Sequence, residues 1–559
     1  MLVKDLPYKR YEIETFKNAF EAFEKSANEA KTAKEFLAAR EVFLTEAKHY
    51  QTMSALANCR FTLNTADEFY QAEMDYYDQN GPLFQEVFVK YGDVMLNTPF
   101  RSELEKQLNP ILFKNYETSK KAYNPVAEKE CQQENALCTE YSRFMSAMPV
   151  EWNGEKKPLA FVRGFLSDKD RGVRKQAAFA IGKALEANKE TLDSIYDRLV
   201  KIRTEIARKL GYKNFTELGY YRMNRISYNR ADVEKFRANV LSGLVPVVGE
   251  LKKKLAKKLE ISDFSFYDDG IYSEHGNPKP NGDVKQIFKA AQEMYDDMSP
   301  ELGEFMKRMQ QAEAFDVESR DNKWGGGYCT GFADYKQPFI LANFNGSSDD
   351  IDVITHEFGH AFAADCSYKF GDFELDVGGM ETAECHSMSM EFFAEKYMNK
   401  FFDNPAEYCK SHLLSSLSFI PYGVIVDEFQ HIVYDNPDMT PEERDDAYLQ
   451  LEKKYRPYLT FDGIPYLEKG TRWQYQMHIY ESPFYYIDYC LAQTVALGFF
   501  IKMAENYDEA LSKYLAFVKC GGTKLFPDLV KDAGIADPFG DGTLKTLAEK
   551  LMKIAEKYE

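Results

Sequence analysis

The sequence predicts a mainly α-helical protein with one small β element directly before its most reactive segment. Two observations predict this class. Apolar residues recur at three- and four-residue steps through most of the chain, and Gly- or Pro-rich breaks are few and short. A third observation is composition: 44% hydrophobic and 28% charged residues among 559 are typical of a large folded protein rather than of a disordered chain.

The first part of the chain predicts an N-terminal helical lobe. Helical periodicity extends from Tyr11 to about Lys121. Asn-, Gly- and Pro-containing turn signals interrupt it at residues 80–82, 97–99 and 109–110. An Asn153-Gly154 pair between short apolar runs predicts a β-hairpin, and helical periodicity then resumes. We expect residues 1–195 to form this lobe and residues 196–559 to form a second region that carries the reactive segment.

A compositional break from Trp324 to Gly346 introduces the reactive segment. Three consecutive glycines, 325–327, followed by the apolar run 339–345 predict a loop that leads into an edge strand. Helical periodicity returns after Ser348 and continues to the end of the chain. One later helix start is explicit, because Thr440-Pro441-Glu442-Glu443 has the pattern of a capping box.

Charge and targeting signals narrow the classes of partner. The chain has 70 basic and 89 acidic side chains, a net charge of −19, which disfavours nucleic acid and anionic membranes as partners. It begins without the apolar segment of a signal peptide, and its apolar run from Val495 is short and contains Lys502. Nine scattered cysteines without a Cys-x-x-Cys pair predict reduced thiols. We therefore expect a cytoplasmic protein; its oligomeric state is not indicated.

The strongest motif is His356-Glu357-Phe358-Gly359-His360. Histidines four residues apart share one face of a helix, so both imidazoles can bind a single metal ion. Glu357 lies beside that face and can take a proton from a metal-bound water. Chance produces such a pattern roughly 0.02 times in a chain of this composition, so coincidence is a poor explanation. The motif predicts a hydrolytic metal site.

A hydrolytic zinc site needs a third protein ligand and an open position. Ala363 and Cys366 stand where a three-histidine pattern requires Gly and His, so the third ligand must be a downstream carboxylate. The candidates are Asp365, Glu374, Asp376, Glu381 and Glu384. The first is too close on the same helix, and the next two lie in a Gly-bounded loop. The last two open the following helix, and spacing alone leaves them level.

The pentapeptide followed by "AECHSMSMEFF" (residues 383–393) resembles the M3 family of zinc metallopeptidases, in particular the oligoendopeptidase F group related to thimet oligopeptidase. In that family the third ligand opens a Glu-x-x-Ser segment, and a second Glu follows seven residues later. Here the matches are Glu384, Ser387 and Glu391. The resemblance implies that His356, His360 and Glu384 hold one Zn2+ ion and that Glu357 is the general base. It also implies an α-helical bowl of two lobes around a deep channel.

Aromatic residues make up 15% of the chain, and several cluster after His478. Four tyrosines lie within ten residues: Tyr480, Tyr485, Tyr486 and Tyr489. Phenol and imidazole donors can stabilise the oxyanion that forms when a peptide bond is attacked. The M3 family carries a histidine and several tyrosines here, so the resemblance assigns this catalytic role to His478 and Tyr489. The family's earlier tyrosine falls at Ser482, which leaves the second phenol open among the other three.

Substrate contacts are expected from the same neighbourhood. We expect Tyr485 and Tyr486 to contact a bound peptide, and Phe344 to do so through pairing of the predicted edge strand with an extended peptide. Two further histidines, His412 and His431, carry no motif and are expected to be ordinary.

The sequence thus predicts a zinc-dependent endopeptidase that hydrolyses internal bonds of short peptides. Two alternatives remain. A carboxypeptidase or dipeptidyl carboxypeptidase would use the same metal site with a pocket for a terminal charge. A non-catalytic peptide-binding protein is the other, and the intact Glu357 argues against it.

Overall fold

The computed structural model describes residues 1–273, 275–375, 378–461 and 463–555. Helices dominate this part of the chain, which confirms the predicted class, and its strands form one two-stranded and one three-stranded sheet. The N-terminal helices are α1 (Ile13–Glu29), α2 (Ala33–Leu63), α3 (Glu68–Asn97), α4 (Arg101–Gln107), α5 (Pro110–Ala122) and α6 (Glu128–Ala147).

The turn predicted at residues 80–82 is wrong, because α3 continues through Gly81 and Pro82. Proline cannot donate the backbone hydrogen bond to the carbonyl four residues earlier, here that of Asp78. The side chain of Asn135 on α6 donates to this carbonyl instead, at 3.3 Å. Packing against neighbouring helices therefore outweighs the local signal. The other two predicted breaks are confirmed, since α3 ends at Asn97 and α5 begins at Pro110.

The predicted hairpin is confirmed as strands β1 (Pro149–Trp152) and β2 (Glu155–Pro158), which pair antiparallel. Its turn residues Asn153 and Gly154 both have positive φ, 52° and 83°, as a two-residue hairpin requires. The helices that follow are α7 (Leu159–Arg163), α8 (Arg171–Ala187), α9 (Lys189–Lys209), α10 (Phe215–Arg222), α11 (Arg230–Asn239), α12 (Val245–Lys258), α13 (Val284–Met298) and α14 (Pro300–Gln311).

The three-stranded sheet lies next to the reactive segment, as expected, but its order differs from the prediction. Its strands are β3 (Phe315–Glu318), β4 (Tyr328–Phe332) and β5 (Gln337–Phe344), in the order β3-β5-β4. The apolar run predicted as an edge strand is β5, which is central: it pairs parallel with β3 and antiparallel with β4. A continuous apolar run is typical of a strand covered on both faces, and β5 is buried from Pro338 to Ala342. The two edge strands are β3 and β4.

The described residues after β5 are mainly helical. Their helices are α15 (Asp349–Ser367), α16 (Met380–Ala394), α17 (Pro405–Asp435), α18 (Pro441–Tyr455), α19 (Met477–Glu481), α20 (Tyr486–Glu505), α21 (Tyr507–Val518), α22 (Phe526–Asp532) and α23 (Thr543–Ala555). The capping box predicted at Thr440 is confirmed at the start of α18. Helix α16 packs between α15 and α20.

One apolar core connects the elements. Buried apolar side chains form a single cluster that extends from Val3 to Leu551. The boundary expected at residue 195 falls inside α9, and the division into two regions stays a prediction. Among the described residues α20 is long and apolar enough to cross a membrane by length and composition alone, yet 67% of that window is buried by other helices.

Candidate metal centre

Helix α15 presents the His356–His360 motif to the site because its opposite face is anchored in the core. The ring of Phe358 stacks on Tyr295 of α13 with 3.7 Å between ring centroids. Phe305 of α14 contacts Phe358 and Phe362, at 5.2 and 5.6 Å. With this face fixed, the histidine face must point toward α16.

Gly359, inside the motif, sets the distance between the two helices. A Cβ atom at this position would lie 2.6 Å from the backbone oxygen of His386 and 2.7 Å from Cα of Ser387, both on α16. Contacts this short do not occur for real side chains, so a larger residue would push the helices apart. The close approach brings Glu384 of α16 under the two histidines of α15.

Three side chains converge between α15 and α16. Oε2 of Glu384 lies 3.3 Å from Nε2 of His356 and 3.4 Å from Nε2 of His360. One ligand atom from each of the three lies within 4.8 Å of the other two. Two imidazole nitrogens and one carboxylate oxygen are a donor set that hydrolytic zinc sites use. The structure thus brings together the three residues that the sequence assigned to the metal.

The electrostatics of this cluster suit a cation. Burial alone would raise the pKa of Glu384, but the facing His360 and His356 hold it well below its usual range. Burial would likewise lower the pKa of His356, whereas the hydrogen bonds that it donates to Glu384 and Glu391 raise it well above the usual value. Both shifts show that this buried pocket favours positive charge beside the carboxylates. The donor set and the charge therefore both fit a zinc ion.

Glu357 is buried beside the cluster, with 7% of its surface exposed. Its Oε2 has no hydrogen-bond partner among the described residues. Burial raises its pKa, although the two histidines oppose that shift. A buried carboxylate with a raised pKa and a free oxygen is typical of a catalytic acid or base. A Cβ at Gly327, directly before β4, would lie 3.8 Å from Oε1 of Glu357, so the free edge of β4 begins beside this carboxylate.

The other candidate carboxylates are satisfied elsewhere or lie outside the described residues. Asp365 forms a two-pronged pair with Arg308, each N–O distance being 2.9 Å. Glu374 pairs with the buried Arg40 at 2.7 Å. Asp376 is not among the described residues.

Glu381, which sequence spacing made as good a candidate for the third ligand as Glu384, is not part of the cluster. It is buried, and burial together with the negative charge of Asp488 raises its pKa. Of the two, Glu384 is the one that lies against both histidines, and it is also the residue that the family resemblance selected.

A chain of hydrogen bonds begins at Nδ1 of His356, the ring nitrogen that does not face Glu384. Its Nδ1 lies 2.6 Å from Oε1 of Glu391, which leaves Nε2 for the cluster. The other oxygen of Glu391 lies 2.9 Å from His412, whose second nitrogen lies 2.8 Å from Glu395. His412 was expected to be ordinary, and its role was missed. The four-residue spacing of Glu391 on α16 and Glu395 directly after this helix was the available signal.

The tyrosine cluster lies on the opposite side of Glu384. The hydroxyl of Tyr485 donates to Oε1 of Glu384 at 2.6 Å. The ring of Tyr489 lies 4.7 Å from that of Tyr485 and 5.8 Å from the imidazole of His478. The structure therefore brings His478 and Tyr489 together beside the cluster. Tyr485, expected to contact substrate, is bonded to the predicted metal ligand itself.

The remaining aromatic candidates, Tyr480 and Tyr486, pack mainly against other aromatic rings. Tyr480 is fully buried, stacks on Tyr141 at 3.9 Å and donates to a backbone carbonyl, so it is excluded as the second phenol. Tyr486 packs against the rings of Phe419 and Tyr422, at 5.7 and 5.8 Å.

Phe344 ends β5 and is paired with Glu318 of β3. The contact predicted for Phe344 assumed that its strand was an edge. That assumption is wrong because β5 is central: it pairs with β3 as far as Phe344 and with β4 as far as Leu341.

A strained turn before α20 positions the tyrosines, and no local sequence pattern indicates it. Phe484 has φ 67°, a left-handed conformation that is costly for a bulky residue. Its backbone N–H donates to Gln430 at 2.9 Å, and its carbonyl accepts from Arg225. Its buried ring fits against Gly219, where a Cβ would lie only 2.5 Å away. Contacts from distant parts of the chain thus hold the turn.

Comparisons with known proteins agree with this architecture. The family model of peptidase family M3 matches residues 165–549, and that of the peptidase M3 N-terminal domain matches residues 3–123. The solved structure of PZ peptidase A with inhibitor 2 is 39% identical, with a TM-score of 0.96 over 99% of both chains. A structure from Bacillus anthracis str. Ames, provisionally described as an oligoendopeptidase F, is 39% identical, with a TM-score of 0.92 over 100% of this chain and 98% of that one.

A more distant relative is oligopeptidase PepF of Bacillus subtilis (strain 168), which is 23% identical over 410 residues. That alignment covers 70% of this chain but only 58% of PepF, so the chain matches less than two thirds of that relative's length.

Proposed function

The chain belongs to peptidase family M3, in its oligoendopeptidase F-like group, and from that premise we propose that it is a zinc-dependent endopeptidase acting on short oligopeptides. The observation that carries the proposal is the convergence of His356, His360 and Glu384, with Glu357 buried and unsatisfied beside them. Binding alone would not require a buried carboxylate with a free oxygen at this point.

His356, His360 and Glu384 would hold the ion. When bound, zinc would act as a Lewis acid that activates water and polarises the carbonyl of the scissile bond. Glu391 accepts the hydrogen on Nδ1 of His356 and so orients its Nε2 toward the ion. Tyr485 donates to Oε1 of Glu384, which leaves Oε2, the oxygen nearest both histidines, for the ion.

Glu357 would serve as general base and then as general acid. Its carboxylate accepts a proton from the attacking water and returns it to the leaving amine. The raised pKa suits both steps, because a more basic carboxylate takes the proton more readily and still releases it to an amine.

His478 and Tyr489 would donate hydrogen bonds to the oxyanion. Their rings lie 5.8 Å apart, and both are half-buried, so the donors act where water is partly excluded. Donors of this kind are worth about 10²- to 10³-fold in rate.

The free edge of β4 would bind the peptide backbone. An extended peptide paired along β4 passes Glu357, because Gly327, directly before this strand, is next to that carboxylate: a Cβ there would lie 3.8 Å from its Oε1. Main-chain pairing recognises any sequence, which fits a peptidase for varied short peptides. This proposal transfers to β4 the role that the sequence had given to β5 and Phe344. A channel that excludes folded proteins stays an expectation drawn from the family.

A digest of a mixed peptide library blocked at both ends tests the proposal. We expect mass spectrometry to find internal cleavage that a zinc chelator abolishes and that Glu357→Gln reduces by about 10²- to 10⁴-fold. The variant should keep its zinc, because Glu357 is not in the ligand cluster. If the blocked library stays intact while the same peptides with free C-termini are cleaved, the carboxypeptidase alternatives are favoured. Unchanged cleavage by Glu357→Gln would refute the catalytic assignment.

A further inference from the structure

The imidazole of His478 has one nitrogen that is hydrogen-bonded and one that is free. Its Nδ1 lies 2.7 Å from Nε2 of Gln476, two residues earlier at the start of α19. Its Nε2 has no hydrogen-bond partner among the described residues. The two nitrogens of a neutral imidazole differ, because one carries the hydrogen and the other a lone pair. The partner at Nδ1 therefore decides what Nε2 can offer.

Tyr422 of α17 contacts the oxygen end of the Gln476 amide. Its hydroxyl donates to Oε1 of Gln476 at 2.6 Å, so the amide nitrogen points toward His478. The guanidinium of Arg472 lies 4.1 Å over the ring of Tyr422 and is bonded to Glu452 on α18 at 3.1 Å. A cation over the ring withdraws electron density from the phenol and favours its role as donor. An amide nitrogen only donates, and the Nδ1 that faces it must accept.

We propose that Gln476, oriented by Tyr422, is a positioning residue that holds the hydrogen of neutral His478 on Nε2. The inference rests on the proposed role of His478 as an oxyanion donor. That role needs a hydrogen on the free nitrogen, and the opposite tautomer would present a lone pair to the oxyanion and repel it. Gln476 thus acts on the reaction through His478, without contact with the substrate.

The surroundings of His478 keep the ring neutral. Burial lowers its pKa to about 4, although the charge of Glu384 on α16 opposes this shift. The other titratable groups that face it are the phenols of Tyr485, Tyr486 and Tyr489, with ring centroids 5.0 to 5.9 Å away. The hydrogen bond from Gln476 adds to this, because a donor at Nδ1 disfavours a second proton there.

The decisive variant is Gln476→Glu, which replaces the donor by an acceptor of the same shape. A carboxylate facing Nδ1 draws the hydrogen to that nitrogen and raises the pKa of His478. Nε2 then carries a hydrogen only in the imidazolium form, which exists below the raised pKa. We expect kcat at pH 8 to fall by about 10- to 100-fold, within the range of one lost oxyanion donor. Activity should recover as the pH falls through that pKa, whereas the parent enzyme shows no such step. KM and zinc content should change little.

Two further variants separate positioning from general damage. Tyr422→Phe frees the amide of Gln476 to rotate, so we expect kcat to fall by less than in Gln476→Glu. The double variant should have the same kcat as Gln476→Glu alone. Gln107→Glu places the same charge change on the exposed end of α4 and should leave both the rate and the pH profile unchanged.

A spectroscopic measurement tests the inference without relying on activity. Ring ¹⁵N shifts of His478, in protein labelled at histidine, report which nitrogen carries the hydrogen. We expect hydrogen on Nε2 in the parent and on Nδ1 in Gln476→Glu. Hydrogen on Nδ1 in the parent, or no change in the variant, would overturn the inference. If the tautomer switches as expected while kcat stays constant, the inference about Gln476 holds and the proposed role of His478 fails.

Discussion

The two sides of the candidate site are built in different ways. The metal side lies on α15 and α16, two uninterrupted helices whose spacing and close contact at Gly359 bring the donor atoms together. The tyrosine side lies around the turn between α19 and α20, where Phe484 adopts a left-handed conformation. One side is organised by regular helices, and the other by a strained turn that only its surroundings can maintain.

The supports differ in sequence distance as well. His356 is held by Glu391, 35 positions away on the neighbouring helix. Phe484 is held by Gln430 and Arg225, which are 54 and 259 positions away. We therefore expect damage to the metal side to remove the ion, and damage to the tyrosine side to leave the ion bound while the catalytic donors move. Zinc content is the measurement that separates the two.

The largest effect is expected from Glu384→Ala. Loss of the carboxylate leaves two imidazoles, too few for a stable site, so zinc and activity should both be lost. At zinc 100-fold above its Kd, the parent should gain about 3 kcal/mol in free energy of unfolding, and the variant should gain none. Elemental analysis and thermal unfolding with and without zinc measure this.

Glu381→Gln is the matched control for that experiment. Glu381 is buried on the same helix, and burial raises its pKa, so a neutral glutamine resembles its protonated form. We expect it to keep its zinc and its activity. Loss of zinc in Glu381→Gln with retention in Glu384→Ala would reverse the assignment of the third ligand.

The metal side was also the part of the site that the sequence predicted well. The spacing of His356 and His360 on one helical face is a local property, and any helix over these residues brings them together. The third ligand needed more than spacing, because Glu381 and Glu384 open the same helix. The family resemblance separated them, and in the structure Glu384, not its neighbour, lies within 3.4 Å of both histidines.

What the sequence did not predict depends on contacts between distant residues. Strand β5 is central because β3 and β4 pair with its two sides. The apolar run that forms β5 does not by itself show how many strands pair with it. Helix α3 passes through Pro82 because Asn135 satisfies the freed carbonyl. The turn at Phe484 forms because Gln430 and Arg225 bind its backbone. All of these partners lie too far along the chain for a local sequence pattern to indicate them.

The next largest effect is expected on the tyrosine side, from Tyr489→Phe. Removal of an oxyanion donor should lower kcat/KM by about 10²- to 10³-fold while zinc content stays at the level of the parent. Tyr485→Phe is the informative comparison, because that hydroxyl binds Glu384, and its loss should weaken zinc binding instead. Equal losses of zinc in both variants would contradict the division of the site into two sides.

A smaller effect on the metal side is expected from Glu391→Gln. The variant weakens the hydrogen bond that orients His356, and loss of such a support typically costs about 10- to 100-fold in metal affinity. Competition with a chelator of known affinity measures it. Glu395→Gln is one step farther away, because it contacts His412 rather than His356, and should cost less. If Glu395→Gln lowers zinc affinity as much as Glu391→Gln does, the effect of a glutamate does not depend on its direct contact with His356.

The smallest effect, and the most direct test of the strained turn, is expected from Gln430→Leu. The variant leaves the buried N–H of Phe484 without an acceptor, which should cost about 1–3 kcal/mol of stability. The turn can then relax toward an ordinary φ, so Tyr485 and Tyr489 shift and kcat should fall several-fold, up to about 10-fold. Ser418→Ala removes a buried hydroxyl on the same helix that bonds only within it, and should leave kcat unchanged. If Gln430→Leu lowers stability but not kcat, the turn is structural, and the tyrosines are positioned by α20 alone.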